Sequence, residues 1–119
     1  MDIIALVNII SFLSLLLGGI CMKKYASSPA DHSIGYRTQR SMSSDDAWYA
    51  ANKKCGDQWL IIGIAGFVLT IVSVLLIQPK ISSSAGSIIQ FILLLLQISA
   101  VIFSFVSTEA ELKKKFDKK

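Results

Sequence analysis

Charged residues are missing from three long stretches of this 119-residue chain: residues 3–22, 59–78 and 81–108 contain no Asp, Glu, Lys or Arg. Each stretch supplies the roughly 20 apolar residues that a helix needs to cross a bilayer, and gains roughly 4 to 8 kcal/mol on insertion. The stretches are apolar on all sides, whereas helices of a soluble protein carry a polar face. We therefore predict an all-α integral membrane protein with three transmembrane helices. The same absence leaves a proton relay or ion pump without a charged carrier inside the membrane.

Histidine and cysteine are almost as scarce. The chain has one histidine, His32, and two cysteines, Cys21 and Cys55. Both cysteines fall on or near the side that we assign below to the cytoplasm, where thiols stay reduced, so no disulfide is expected. No paired-cysteine spacing and no Cys–His or His–acid constellation is present. We predict no metal site, no cofactor and no enzymatic activity, including activity on lipid headgroups.

The N-terminus lacks the marks of a removable leader. Asp2 stands where a signal peptide carries positive charge, and the apolar run is longer than a typical signal core. Ile20 is bulky at the position before Cys21, where a lipoprotein cleavage box needs a small residue. The first segment is expected to be a retained membrane helix.

Lysine and arginine, by contrast, are abundant on one side of the predicted spans. Residues 23–58 carry six of them and the tail after residue 108 carries five, whereas Lys80 stands alone on the other side. The positive-inside rule therefore predicts a multi-pass protein of the cell membrane, with its N-terminus outside and its C-terminus in the cytoplasm. Orientation and attraction to an anionic leaflet explain the basic tail, so no direct binding of nucleic acid is predicted.

The whole chain, 1–119, is expected to form a single membrane domain. Its predicted parts are a first helix at about 3–22, a cytoplasmic loop at 23–58, a second helix at about 59–78, a third helix at about 86–108, and a basic tail at 109–119 that continues the third helix. Turn residues at Ser27-Ser28-Pro29 and at Gly35 predict an irregular chain up to about Arg40.

A short helix is predicted inside this loop, at about residues 45–55. A serine at 43 or 44 can cap it, the pair Asp45-Asp46 favours its positive end, and Gly56 is expected to end it. Three- and four-residue spacing places Ala47, Trp48, Ala51 and Cys55 on one face. We interpret this segment as an amphipathic helix in the membrane interface, with Trp48, Tyr49 and Trp59 at headgroup depth.

Each membrane helix also carries a stripe of small or polar residues. The stripes are Asn8, Ser11 and Gly18 in the first helix, Gly63, Gly66, Thr70 and Ser73 in the second, and Gln90, Gln97 and Ser104 in the third. Helices in lipid associate through such stripes, so the three are expected to face one another. For Asn8, Gln90 and Gln97 the alternative to a packing role is a substrate pathway.

The loop carries one distinctive pattern: Gly-x-Arg-Thr, then Ser, an acidic residue that opens a helix, Trp, Asn and Gly. The residues are Gly35, Arg37, Thr38, Ser41, Asp46, Trp48, Asn52 and Gly56. The pattern and its place between two membrane helices resemble the loop signature of the SdpI family, small bacterial membrane proteins named for immunity to a sporulation-delaying toxin. The chain resembles a minimal three-helix form of that family.

The resemblance implies immunity to an antimicrobial peptide toxin, conferred by non-catalytic binding in the membrane of the bacterial cell. It also implies a cytoplasmic repressor that docks on the loop. The alternative function is a small transporter or channel component, assembled as a homo-oligomer around Gln90 and Gln97.

Three roles are open for the basic residues of the motif. Arg37 and Arg40 flank Thr38, a composition that suits recognition of a phosphate or carboxylate on a partner. In the second alternative, the two arginines bind lipid phosphates and Trp48 anchors the short helix at the membrane interface. In the third alternative, Arg37 bonds the last carbonyl groups of the first helix and holds the loop in place.

Overall fold

The computed structural model describes residues 3–26 and 35–116, which form three long helices and, within these ranges, no strand. Helix α1 spans Ile3–Ala26, α2 spans Asp45–Val72 and α3 spans Ser83–Phe116. Even α1, with 24 residues, is about 36 Å long, which exceeds the ~30 Å hydrocarbon core. All three are long and apolar enough to cross a membrane. The predicted irregular segment at 27–34, with His32, and the last tail residues 117–119 lie outside the described residues.

The distribution of polar and apolar side chains in the bundle is the reverse of that in a soluble protein. Its exterior carries large apolar side chains, such as Ile3 at 77% exposure and Leu75 and Phe103 at 65%. Its interior holds polar side chains that are fully buried; they include Asn8, Thr70, Gln90 and Ser104. In water this distribution would expose a very large apolar surface, whereas in lipid it buries the groups that need hydrogen bonds. The fold is that of a multi-pass helical membrane protein.

Glycine brings α1 and α2 together closely. A Cβ atom on Gly19 would lie 2.8 Å from the carbonyl oxygen of Gly56, and one on Gly63 would lie 2.8 Å from the backbone nitrogen of Leu16. Neither backbone can move away without opening the whole helix pair. The small-residue stripe of α2 therefore packs against α1 by direct backbone approach, as close helix packing in lipid requires.

The separate short helix that the sequence predicted at 45–55 is not present. Residues 45–72 form one continuous α-helix, and Gly56 lies within it rather than at its end. Gly56 is small because it faces Gly19 of α1, so its role is close packing. Trp48 was expected at headgroup depth, but it is fully buried, as are Ala47, Ala51 and Cys55. The face predicted to lie in the interface packs inside the protein.

Most of the link between α2 and α3 is helical rather than an open loop. After Val72 the chain passes through a π-helical segment, Ser73–Ile77, and a single 3-10 turn, Gln78–Lys80. Pro79 has no N–H to continue α-helical bonding, which accounts for the change of helix type. Helix α3 then continues without a break to Phe116 and carries the first part of the basic tail.

Candidate functional site: the motif loop and the groove beneath it

The motif loop, residues 35–44, is fixed to α2 by a buried asparagine. The Asn52 side chain accepts a hydrogen bond from the Tyr36 N–H at 2.6 Å and donates to the Trp48 carbonyl at 2.9 Å. Gly35 has φ +130°, a conformation that favours glycine, and a Cβ atom there would collide with the Asn52 amide. Gly35 and Asn52 of the motif therefore form one structural unit.

A second motif residue, Ser41, organises the turn itself. Its hydroxyl is buried, accepts from the Thr38 N–H at 2.8 Å and lies 2.9 Å from the Tyr36 carbonyl, to which it can donate. The Thr38 hydroxyl accepts from the Ser41 N–H at 3.1 Å in return. Ser44 then caps α2 by accepting from the Ala47 N–H at 3.0 Å, and the exposed Asp46 lies in the first turn, where an acidic residue is favourable.

Trp48 ties the loop and α2 to the end of α1. Its indole N–H donates to the carbonyl oxygen of Tyr25 at 2.9 Å, in the last turn of α1. The carbonyl groups of a helix C-terminus lack partners within the helix, so this bond satisfies one of them. One alternative from the sequence was that Arg37 bonds the last carbonyl groups of the first helix. In the structure, Trp48 forms such a bond.

Glu109, which no motif indicated, is the centre of the cluster. Its carboxylate accepts hydrogen bonds from the Tyr36 hydroxyl at 2.6 Å and from the Thr38 hydroxyl at 2.8 Å. Arg40 Nη1 lies 3.5 Å from the other carboxylate oxygen. We call Tyr36, Thr38, Arg40 and Glu109 the Glu109 cluster. It joins the motif loop to α3, in addition to the Asn52 bond that fixes the loop on α2. A glutamate placed just after the last apolar stretch was the available signal.

The cluster also changes the chemistry of Tyr36. Burial, followed by the hydrogen bond to the Glu109 carboxylate, raises the pKa of the Tyr36 hydroxyl well above its usual value. The phenol therefore remains protonated and acts as a hydrogen-bond donor. A tyrosine in this state is suited to holding the loop and not to acting as a base.

Beneath the loop lies a groove of about 630 Å³ between α1 and α3, which we call the loop groove. Its walls are residues from all three helices and from the loop: Gly18, Cys21, Met22, Gly35, Tyr36, Arg37, Thr38, Trp59, Phe105 and Glu109. Arg37 is exposed and makes no hydrogen bond or ion pair with another described residue. The structure thus separates the two arginines, because Arg40 belongs to the Glu109 cluster and Arg37 faces the groove.

The polar residues of the membrane interior form a separate network. Asn8 donates to the Gln90 carbonyl at 2.9 Å and to its side-chain oxygen at 3.0 Å, and the Gln90 amide donates to the Ser73 hydroxyl at 2.7 Å. The Gln97 side-chain oxygen is buried and has no hydrogen-bond partner in the described part of the chain. The side chain of Gln90 is therefore hydrogen-bonded within the bundle, whereas the side-chain oxygen of Gln97 is not, although the two residues share one face of α3.

Metal binding finds no support in the described ranges 3–26 and 35–116. No three His, Cys, Asp or Glu side chains come together there in a group that could hold an ion. Cys21 is exposed and Cys55 is buried, and neither is paired with another cysteine.

These features define a small three-helix membrane protein with a structured loop at one end of its bundle. The SdpI/YfhL protein family matches residues 28–108, which include the motif loop, α2 and most of α3. The chain belongs to this family. It is also 30% identical over 101 residues to the "Uncharacterized protein YfhL" of Bacillus subtilis (strain 168), a match that covers 83% of this chain and 79% of that protein. No solved structure matches the chain.

Proposed function

We propose that this protein confers immunity to a membrane-active antimicrobial peptide by binding the peptide within the bilayer, without performing chemistry. The family to which the chain belongs supports the proposal, because one of its two names is that of the immunity proteins described above. The distribution of lysine and arginine supports an orientation in the bacterial cell membrane with the N-terminus outside and the motif loop in the cytoplasm.

The observation that carries the proposal is the unpaired side-chain oxygen of Gln97. This residue lines a groove of about 250 Å³ between α2 and α3, together with the small residues Ala65 and Ala100. An amide oxygen without a partner is costly in hydrocarbon, so a donor from a bound peptide would be stabilised there. The small residues allow a peptide helix to approach closely.

Survival of a toxin-sensitive bacterium tests this proposal. Cells that express the protein should survive at least one of a panel of membrane-active peptides, and Gln97→Leu should remove that protection while the protein is still made at its normal level. Ser99→Ala is the matched control, because the exposed Ser99 hydroxyl bonds only the Leu95 carbonyl of its own helix. Unchanged survival across the panel, or equal protection by Gln97→Leu, would contradict the proposal.

The alternative of an oligomeric pore receives less support. Gln90 is fully buried within one chain, where it bonds Asn8 and Ser73. Polar residues so engaged contribute packing contacts, typically about 0.6 to 2 kcal/mol each, and are not available to line a channel. Vesicles that contain the protein should therefore show no added solute flux; a flux that Gln97→Leu abolishes would favour the pore.

For a cytoplasmic regulator, we propose a different surface from the two grooves described so far. A polar groove of about 510 Å³ lies between α2 and the end of α3, and its charged residues are Lys53, Lys54, Asp57, Glu111 and Lys115. Mixed charge of this kind suits a transient protein contact. If a small DNA-binding repressor is encoded next to the gene, a fluorescent fusion should move to the membrane with the parent protein and stay dispersed with Lys53→Glu/Lys54→Glu. Membrane recruitment by both forms would reject this surface.

A further inference from the structure

We infer that the loop groove binds one anionic phospholipid, with the lipid phosphate at Arg37 and an acyl chain against Trp59 and Phe105. This site is distinct from the Gln97 groove of the proposed function. Its occupation by lipid does not depend on whether the protein confers immunity.

The loop groove lies where hydrocarbon gives way to headgroups. Lys23, Asp57 and Glu109 are the charged residues that border the apolar parts of α1, α2 and α3, and Lys23 Nζ lies 2.7 Å from Asp57 Oδ1. Trp59 and Phe105 stand on the apolar side of this level, whereas the wall formed by residues 35–38 stands on its polar side. A ligand that fills the groove must therefore be apolar at one end and polar at the other.

The charge at the polar end favours an anion. Glu109 also lines the groove, but its Oε2 already accepts from Tyr36 and Thr38, and Arg40 lies 3.5 Å from its Oε1 and opposes its charge. Arg37 is left as an exposed guanidinium without a partner among the described residues. Guanidinium groups pair with phosphate through two parallel hydrogen bonds, and the cytoplasmic leaflet is rich in anionic lipid.

The apolar end is rigid enough to form a site. The Trp59 indole N–H donates to the Ser104 hydroxyl at 3.0 Å, and the Trp59 and Phe105 rings lie 5.9 Å apart. The Tyr36 ring also packs against Phe105, with its centroid 5.9 Å away. These rings form a fixed aromatic wall, in the same groove as Arg37, against which an acyl chain can lie.

Trp59 makes the inference measurable, because bromine on an acyl chain quenches a tryptophan that it contacts. The full chain is reconstituted in vesicles made mostly of phosphatidylcholine, with a small fraction of brominated phosphatidylglycerol or, separately, brominated phosphatidylcholine. Trp48 is the other tryptophan of the chain and is fully buried, so it contributes a constant background. We expect clearly stronger quenching by the brominated anionic lipid.

Arg37→Gln should weaken the preference for the anionic lipid about fivefold, the factor that corresponds to one basic residue at an anionic surface. Arg37→Lys should retain most of it. Lys113→Gln removes the same charge from an exposed residue that lines neither the loop groove nor the polar groove between α2 and α3, and should change nothing.

Three results would overturn the inference. Equal quenching by the two lipids in the parent protein would mean that no anionic lipid is selected. An equal loss with Lys113→Gln would mean that only general surface charge matters. Displacement by soluble glycerol phosphate, or by an added peptide and not by unbrominated phosphatidylglycerol, would mean that the groove holds another kind of ligand.

Discussion

Removing the carboxylate of Glu109 should destabilise the protein more than any other single change of a charged residue at this end of the bundle. Hydrogen bonds to charged groups contribute about 1.5 to 3 kcal/mol each when buried, and Glu109 accepts two from hydroxyl groups at 2.6 and 2.8 Å. Because the Glu109 side chain is 29% exposed, we take the lower end of that range, and the Arg40 pair at 3.5 Å adds less than about 1 kcal/mol. For Glu109→Ala we expect a loss of about 2 to 4 kcal/mol in the free energy of unfolding.

Unfolding in mixed detergent, followed by tryptophan fluorescence, measures this loss. Glu111→Ala is the matched control: Glu111 lies two residues further along α3, pairs with Lys115 at 3.5 Å on the surface, and should cost no more than about 0.5 kcal/mol. A double-mutant cycle with Tyr36→Phe should give a coupling of about 1 kcal/mol or more, since the two groups share one hydrogen bond. If Glu109→Ala costs no more than Glu111→Ala, Glu109 does not hold the loop.

Two further predictions concern the motif loop. Gly35→Ala should destabilise the loop by about 1 to 3 kcal/mol, because φ +130° is unfavourable for alanine and its Cβ collides with Asn52. We expect faster proteolysis of the loop in this variant, and unchanged proteolysis would contradict the prediction. The raised pKa of Tyr36 means that its stabilising contribution is complete below the ordinary tyrosine pKa of about 10 and is lost progressively as the pH rises from that value through the raised one. Titration curves of tyrosinate absorbance for the parent and Tyr36→Phe should therefore coincide through pH 10 and a unit or more beyond; an early difference would contradict the buried hydrogen bond.

The membrane fold was readable from the sequence because hydrocarbon imposes a simple constraint. A stretch of about 20 apolar residues without charge is most stable as a transmembrane helix, so the three helices follow from composition alone. The hydrogen bond between Asn8 and Gln90 agrees with the expectation that the polar stripes face one another, because helices in lipid associate through such residues. Such constraints act locally or along one helix and need no knowledge of tertiary structure.

The error at residues 45–55 has a different origin. A helix with one apolar face beside a membrane fits the interface and fits a protein interior equally well, and periodicity does not distinguish them. The helix packs inside the protein because α1 lies beside it. Helix α1 extends to Ala26, far enough for the Tyr25 carbonyl oxygen to accept a hydrogen bond from the Trp48 indole. Likewise Gly56 has the composition of a helix terminator, but the approach of Gly19 determines its role. Both contacts join segments more than twenty residues apart.

For five residues of the motif, the structure shows contacts that serve folding. Gly35, Ser41, Trp48, Asn52 and Gly56 point into the protein and make contacts that fix the loop on α1 and α2. They do not need a ligand to explain their chemistry, whereas the exposed Arg37 makes no such contact with the described residues and is available to bind one.

Folding of the loop and binding of an anionic lipid by Arg37 then depend on each other. Arg37 belongs to a loop whose position is set by Asn52 on one side and by the Glu109 cluster on the other. A guanidinium on a loose loop would lose conformational entropy on binding a phosphate, while one held above the Trp59–Phe105 wall loses little. Arg37→Gln should therefore reduce anionic-lipid binding without changing stability, and Asn52→Ala should reduce both. Equal lipid binding by the parent and Asn52→Ala would show that the order of the loop is irrelevant to the groove beneath it.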